Sequence, residues 1–101
     1  MIVTQSGEVP PLCNGHSPLG DYALAGTYQG HDYYAQVSGD EYFTIFWEAE
    51  IGWFVAPTSE FEAHEPGSIF DLHGWYWEGV PVSGNYNVWN GADGTLDVTE
   101  V

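Results

Sequence analysis

Apolar and polar residues alternate in short runs along most of the chain, and this pattern predicts β-strands. The clearest run is EYFTIFWEAE, residues 41–50, in which large apolar side chains occupy both sets of alternating positions. A strand with two apolar faces is expected to be covered on both sides. Residues 51–57 follow with the same character, so we expect them to return as the second strand of a hairpin.

Turn-forming residues separate these runs at regular intervals. NGADG at residues 90–94 lies between alternating apolar positions that begin at Tyr86 and end at Val98, which predicts a final hairpin. Val, Thr, Tyr, Phe and Trp outnumber the helix-forming residues, and 13 glycines punctuate them. The 101 residues fit one domain. We therefore predict an all-β fold, a small antiparallel β-sandwich or open barrel of about six or seven short strands.

Residues 1–20 differ from the rest of the chain. They contain three of the six prolines and no aromatic residue. Because proline lacks a backbone donor, an extended N-terminal arm is predicted here, with a single β domain over residues 21–101. Met1 to Thr4 could still add an edge strand. Four apolar side chains of the arm are the candidates for contacts with other protein subunits: Ile2, Val3, Val9 and Leu12.

Aromatic residues make up 17% of the chain, enough for a dense core in a short domain. In a strand, Trp75 and Trp77 would point to one face and Tyr76 to the other. Some of these rings must be core, and the others could stack on sugar rings. The candidate glycan-binding residues are Trp75, Trp77 and Trp89, with Asn85 and Asn87 nearby.

The chain contains 15 acidic residues and no lysine or arginine, so its formal net charge is −15. Nucleic-acid backbones and anionic membranes would be repelled, so neither is an expected partner. Two explanations of the acidity stay open, adaptation to a salty medium and a specific cationic partner.

Few residue patterns point to chemistry. The four histidines share no metal-binding spacing, although Glu62, His64 and Glu65 form a weak candidate site for a divalent cation such as calcium. A solvated acidic loop is the favoured interpretation of that cluster. Cys13 is the single cysteine, and no catalytic motif occurs. We therefore predict no enzymatic activity and no required cofactor.

The spacing of aromatic and turn residues over residues 22–98 resembles a short aromatic-rich β-repeat module of phage virion and fibre proteins and of marine microbial surface proteins. The positions that carry the resemblance are Tyr28, Gly30, Tyr33, Tyr34, Ile45, Trp47, Trp53, Val55, Trp75, Tyr76, Pro81, Gly84 and Tyr86. The resemblance implies a role in virion surface parts, fibres or adhesins and no enzymatic site.

Three functions are expected, in this order. The first is a virion accessory, such as a phage capsid decoration or head-fibre subunit. It would be made in the host cytoplasm without a signal peptide, form a homo-oligomer and dock on capsid or other virion proteins through residues 1–20. The second is a carbohydrate-binding or adhesion module that contacts surface glycans through exposed Trp and Tyr. The third is an acidic mimic of DNA that inhibits a DNA-binding protein.

Overall fold

The computed structural model describes residues 2–6, 12–49, 51–79 and 81–100. Within these ranges the regular structure consists of β-strands and one short helix, joined by turns and loops. The elements in chain order are β1 (Ile2–Ser6), β2 (Leu12–Cys13), β3 (Gly20–Tyr28), β4 (His31–Gln36), β5 (Phe43–Glu48), β6 (Gly52–Pro57), α1 (Thr58–Ala63), β7 (Gly74–Trp77), β8 (Gly84–Asn90), β9 (Ala92–Asp93) and β10 (Leu96–Glu100).

Among the described residues, eight strands form a closed antiparallel barrel in the order β1–β10–β8–β7–β6–β5–β4–β3, with β3 returning to β1. The strands β2 and β9 pair separately as a two-stranded sheet. The predicted all-β fold is confirmed, and the barrel is the architecture found. The ring is closed, which removes the unpaired edges that an open sheet would present.

The closing strand is β1, which the sequence analysis assigned to an extended arm. Its residues pair with β10 on one side and with β3 on the other, so that Val3 lies opposite both Thr99 and Asp21. The suggestion that the first residues add a strand is correct, but this strand is paired on both sides and is not the expected edge strand. The boundary at residue 20 is not where the β domain begins, because the barrel needs this strand to close.

Residues 12–19 pack against the same barrel. The Thr4 hydroxyl donates to the Pro18 carbonyl at 2.7 Å and accepts from the Gly20 amide at 2.9 Å. Cys13 and Pro18 are buried. The described part of residues 1–20 is thus built into its own domain.

The barrel interior is filled with large apolar side chains from alternate positions of its strands. Its buried members are Cys13, Tyr22, Phe43, Ile45, Trp53, Val55, Trp75, Val82, Tyr86, Leu96 and Val98. The intervening positions of β5 and β6 form a second cluster outside the barrel. Phe46, Phe54 and Ala56 pack there against Ile69 and Leu72, with Phe61 of α1 at the edge. The prediction of a strand covered on both faces is confirmed for Phe43–Glu48, whereas Glu50 lies outside the described residues.

Candidate functional site

The predicted glycan-binding tryptophans do not form one platform. Trp75 is 0% exposed, lies in the barrel interior and donates its indole N–H to the Gly94 carbonyl at 3.0 Å. Trp89 lies in the outer cluster and donates to the Ile69 carbonyl at 3.2 Å. Trp77 packs at the edge of the interior cluster. The assignment of Trp75 to a sugar-stacking surface is wrong, because the closed barrel needs that ring as core.

The two predicted asparagines face away from Trp77. Asn85 and Asn87 flank the buried Tyr86 on β8, so they point out of the barrel while Tyr86 points in. The Asn85 amide donates to the Asp97 carboxylate at 2.6 Å across to β10. Asn87 is exposed opposite Tyr76. Neither side chain can serve a surface that Trp77 shares.

A different set of tryptophans is brought together by strand register. Trp47 on β5 lies opposite Trp53 on β6, and Trp53 lies opposite Trp77 on β7. Directly opposite residues of antiparallel strands have Cβ atoms about 4.5–5.5 Å apart. We call Trp47, Trp53 and Trp77 the Trp row. All three alternate in phase with the interior residues of their strands, and each lies where its strand reaches the same end of the barrel, which we call the Trp end.

Burial differs along the Trp row. Trp53, at its centre, is buried, whereas Trp47 and Trp77 on either side are half-buried. The flanking rings pack against the interior cluster and also reach the surface. Trp47 and Trp77 therefore expose aromatic surface at the Trp end, while the interior core holds the buried parts of the Trp row in place.

Glycines fix the position of Trp77. A Cβ atom at Gly79 or at Gly84 would overlap the indole ring, so both positions must lack a side chain for the ring to lie there. The Trp77 indole N–H donates to the Pro81 carbonyl at 3.1 Å. The connection between β7 and β8 thereby packs against the ring and limits its orientations.

His31 lies over the other side of the Trp row. Its ring is 4.1 Å from the Trp47 ring, centroid to centroid, at an interplanar angle of 32°. It meets Trp53 edge-on at 5.8 Å. His31 is exposed at the start of β4, beside the tight turn at residues 29–30. An exposed imidazole thus covers aromatic surface of Trp47.

A buried polar cluster lies on the outer face at the same end of the barrel. Glu48 is 0% exposed and accepts hydrogen bonds from the Tyr28 hydroxyl at 2.9 Å and from the Gly67 amide at 3.1 Å. Its Oε1 is 2.5 Å from Nε2 of His64, whose side chain is 6% exposed. Burial, followed by the Glu48 hydrogen bond and charge, raises the pKa of Tyr28.

The two ring nitrogens of His64 both face oxygen acceptors. Nδ1 is 2.6 Å from the Phe61 carbonyl, and Nε2 is beside the Glu48 carboxylate. Nε2 is also 3.2 Å from the Tyr28 hydroxyl, so both ring nitrogens have polar partners within the protein. His64 therefore clamps the C-terminal end of α1 to β5. No nitrogen of this ring is left to act as a base on a substrate.

A cleft of about 310 Å³ lies beside α1. Three of its seven lining residues are acidic, and the lining comprises Glu60, Ala63, His64, Glu65, Ser68, Asp71 and Leu72. Glu60 at the edge pairs with the His73 ring at 3.0 Å and accepts from the His73 amide at 2.7 Å. The cleft has carboxylates on several sides and no lysine or arginine to balance them.

The weak cation site predicted from Glu62, His64 and Glu65 is not formed. His64 turns inward to Glu48, while Glu62 and Glu65 are exposed. Among the described residues no group of three or more His, Cys, Asp or Glu side chains could hold a metal ion. The sequence spacing misled because His64 ends the helix and is drawn to a carboxylate 16 residues earlier.

Three of the four arm residues predicted to bind other subunits lie in strands of the domain itself. Ile2 and Val3 belong to β1 and Leu12 belongs to β2, all within paired strands, and Val9 lies outside the described residues. β1 is paired on both sides and has no free edge, whereas β2 pairs with β9. Subunit binding through these side chains stays a prediction. Burial, with the charge of Glu60 second, raises the pKa of the Cys13 thiol to about 11, which keeps it protonated and weakly nucleophilic.

Comparison with known protein families, with characterised proteins and with solved structures finds no significant match. No helix in the described part of the chain is long and apolar enough to cross a membrane. The functional argument therefore depends on the geometry of this chain.

Sequence reasoning missed the Trp row although all three residues stand in the printed sequence. The sequence offered one indication. Trp47 and Trp53 lie close to the turn of a predicted hairpin, at positions that alternation could place on the same face. Trp77 could be added only by knowing that β7 pairs with β6 and at which register.

Proposed function

We propose that this chain is a non-catalytic binding module that takes carbohydrate at the Trp row. The observation that carries the proposal is the register of β5, β6 and β7, which sets three tryptophans side by side at one end of a closed barrel. Aromatic rings offer large apolar faces with a polar edge, which suits ligands that alternate C–H faces and hydroxyl groups. This is the second of the three expected functions, with Trp47 and Trp53 replacing Trp75 and Trp89.

Three features support a binding role over packing alone. Closing the barrel does not require aromatic surface at its end, yet Trp47 and Trp77 both reach the surface. Two glycines leave room for the Trp77 ring. The core beneath the row holds its base rigid, and a rigid aromatic surface loses little entropy on binding.

The polar clusters on the outer face support a structural role for their own residues. In the Glu48–His64 pair, both ring nitrogens and both carboxylate oxygens have partners. A general base must reach a substrate proton at hydrogen-bonding distance, and this histidine has no free nitrogen with which to do so. The virion role and the DNA-mimic role stay predictions, and no described contact favours either.

The test compares Trp77→Leu with Trp89→Leu. Both residues are half-buried and both indoles hydrogen-bond a carbonyl, but only Trp77 belongs to the Trp row. Binding of a panel of neutral oligosaccharides is followed by calorimetry and by tryptophan fluorescence, with circular dichroism to confirm folding. We expect wild type and Trp89→Leu to bind one class of oligosaccharide and Trp77→Leu to lose at least about tenfold in affinity, which is about 1.4 kcal/mol.

Equal affinity in the two variants would place the sugar elsewhere and overturn the site. No response of the wild-type protein to any oligosaccharide in the panel would overturn the function itself. In that case the Trp row is packing that closes one end of the barrel.

A further inference from the structure

Three of the four histidines pair with a carboxylate. His16 lies beside Asp40, His64 beside Glu48 and His73 beside Glu60. In a chain without lysine or arginine, these are the side-chain ion pairs that the described residues can form when histidine is protonated. His31 differs, because its contacts with the described residues are with the rings of Trp47 and Trp53.

The surroundings of His31 suit a cation. A positive charge over the face of a tryptophan is attracted by the ring quadrupole, more strongly than over tyrosine or phenylalanine. His31 therefore occupies a position where a protonated amine from a ligand would be stabilised by the same rings.

Charge over the whole chain favours the same class of ligand. A formal net charge of −15 with no lysine or arginine attracts cationic ligands and repels anionic ones. A uronic or sulfated glycan would find no fixed positive side chain to pair with. A neutral glycan would gain from stacking alone, and an amino sugar would gain from stacking and from charge.

We propose that the Trp row prefers a glycan that carries protonated amines, such as a glucosamine oligomer, and that one amine displaces His31 from Trp47. This inference rests on the proposed function. It makes His31 a residue of the chain that covers the Trp47 ring until a ligand replaces it.

The experiment is calorimetry with three oligosaccharides of equal length: a glucosamine oligomer, its N-acetylated neutral form and a galacturonate oligomer. The solution is mildly acidic, so that the amines are protonated, and is tested at low and at high salt. We expect the glucosamine oligomer to bind about fivefold more tightly than the neutral one at low salt, with no detectable galacturonate binding. The advantage should shrink as salt screens the charges.

The variants separate a specific site from general attraction. His31→Ala should strengthen binding of the neutral oligomer, because it uncovers Trp47. The matched control is His16→Ala, which removes a histidine stacked on Tyr42 at 3.8 Å at the opposite end of the barrel; it should leave binding unchanged. Trp47→Leu should weaken binding of both oligomers and remove the preference for the amine, because leucine has no ring to attract the cation. A tetralysine peptide shows how much binding charge alone supplies.

Each outcome decides one of the two proposals. Equal affinity for the glucosamine and neutral oligomers overturns the amine preference and leaves the carbohydrate-binding function in place. A preference for the glucosamine oligomer that persists in Trp47→Leu also overturns it. So does binding of tetralysine that is as tight as binding of the glucosamine oligomer. Failure of the wild-type protein to bind any of these oligomers and any sugar of the neutral panel overturns the proposed function, and the inference with it.

Discussion

The two ends of the barrel are closed in different ways. At one end, residues 12–19 fold across the opening, and we call this the covered end. There the buried Gln36 side chain donates to the carbonyls of Ser17 and Leu19 at 3.1 and 3.0 Å and accepts from the Tyr42 amide at 2.9 Å. At the Trp end, the polar contacts lie on the outer face, around Glu48, and the inner face ends in aromatic rings.

Each end also has a histidine stacked on an aromatic ring, and the two histidines differ in what else holds them. His16 stacks on Tyr42 and lies 3.4 Å from the Asp40 carboxylate, which also accepts from the Ser17 amide. His31 stacks on Trp47 with ring contacts alone among the described residues. At the covered end, the polar groups hold residues 12–19 in place. At the Trp end, the polar contacts lie on the outer face of the barrel, and Trp47 and Trp77 stay half-buried at the surface.

The largest expected loss of stability comes from removing the Glu48 carboxylate at the Trp end. Glu48→Ala removes the carboxylate that contacts His64 Nε2, the Tyr28 hydroxyl and the Gly67 amide. Breaking a buried ion pair on one side typically costs about 3–5 kcal/mol of unfolding free energy. Urea denaturation measures the loss. Glu60→Ala is the control, since its pair with His73 is partly exposed and should cost about 1 kcal/mol or less.

Equal losses in Glu48→Ala and Glu60→Ala would contradict the view that burial makes the Glu48 pair decisive. The Trp row would then have to be held chiefly by the interior cluster.

The covered end should lose less stability on a comparable change. Gln36→Ala removes the partner of two carbonyls and of the Tyr42 amide. Because these contacts are neutral and only partly buried, water can replace some of them, and we expect a total loss of about 1–3 kcal/mol of unfolding free energy. We expect a lower midpoint in urea and faster hydrogen exchange in residues 13–19, with unchanged sugar binding. A loss of sugar binding would show that the two ends are coupled and break the comparison.

A single methyl group should disturb the Trp end. In Gly84→Ala the new Cβ overlaps the Trp77 indole, so the ring must move. Overpacking of this kind costs about 1–3 kcal/mol of stability. We expect about a tenfold loss of sugar affinity as well, which is about 1.4 kcal/mol. Asn87→Ala, on the outward face of the same strand, is the control and should leave affinity unchanged; wild-type affinity in Gly84→Ala would exclude Trp77 from the site.

The smallest effect should appear in alkaline solution at the covered end. Burial raises the pKa of Cys13 from 9.0 to about 11, so above pH 9 the thiol ionises in the unfolded chain before it does in the folded one. The folded state then binds more protons, and stability falls as pH rises from about 9 to 11. Burial also raises the pKa values of Tyr22 and Tyr86 and extends the loss to higher pH.

Cys13→Ser should flatten the first part of that alkaline decline in urea midpoints. Native protein near pH 8 should also react with iodoacetamide much more slowly than protein unfolded in urea. Fast alkylation of the native thiol would show that residues 12–19 open readily and that the covered end is less tightly held than its hydrogen bonds indicate.

Local pattern was enough to predict the strands that fill the sheet. Residues 43–48 and 52–57 alternate in sequence and pair as a hairpin, with Trp47 opposite Trp53. The local pattern was less informative for the first 20 residues. Their prolines argue against a central strand, yet Ile2–Ser6 contain none and complete the ring.

The predicted sites were less accurate than the predicted fold. Trp75 was offered as a binding surface and is core, because its place on β7 puts it inside a closed barrel. His64 was offered as a metal ligand among nearby acids and instead reaches Glu48, which is distant in sequence. Contacts between residues far apart in the chain depend on which strands pair, and strand alternation does not contain that information.

By itself, the sequence determined the all-β class, the aromatic core and a surface of one charge, because these follow from composition and from alternation along each strand. Only the tertiary structure decided that the barrel closes through β1, that Glu48 is buried against His64, and that Trp47, Trp53 and Trp77 stand side by side. The physical reason is that the register between two strands depends on many weak contacts distributed over the whole barrel. The residue that lies opposite a given side chain therefore depends on all the strands and not on its own strand alone.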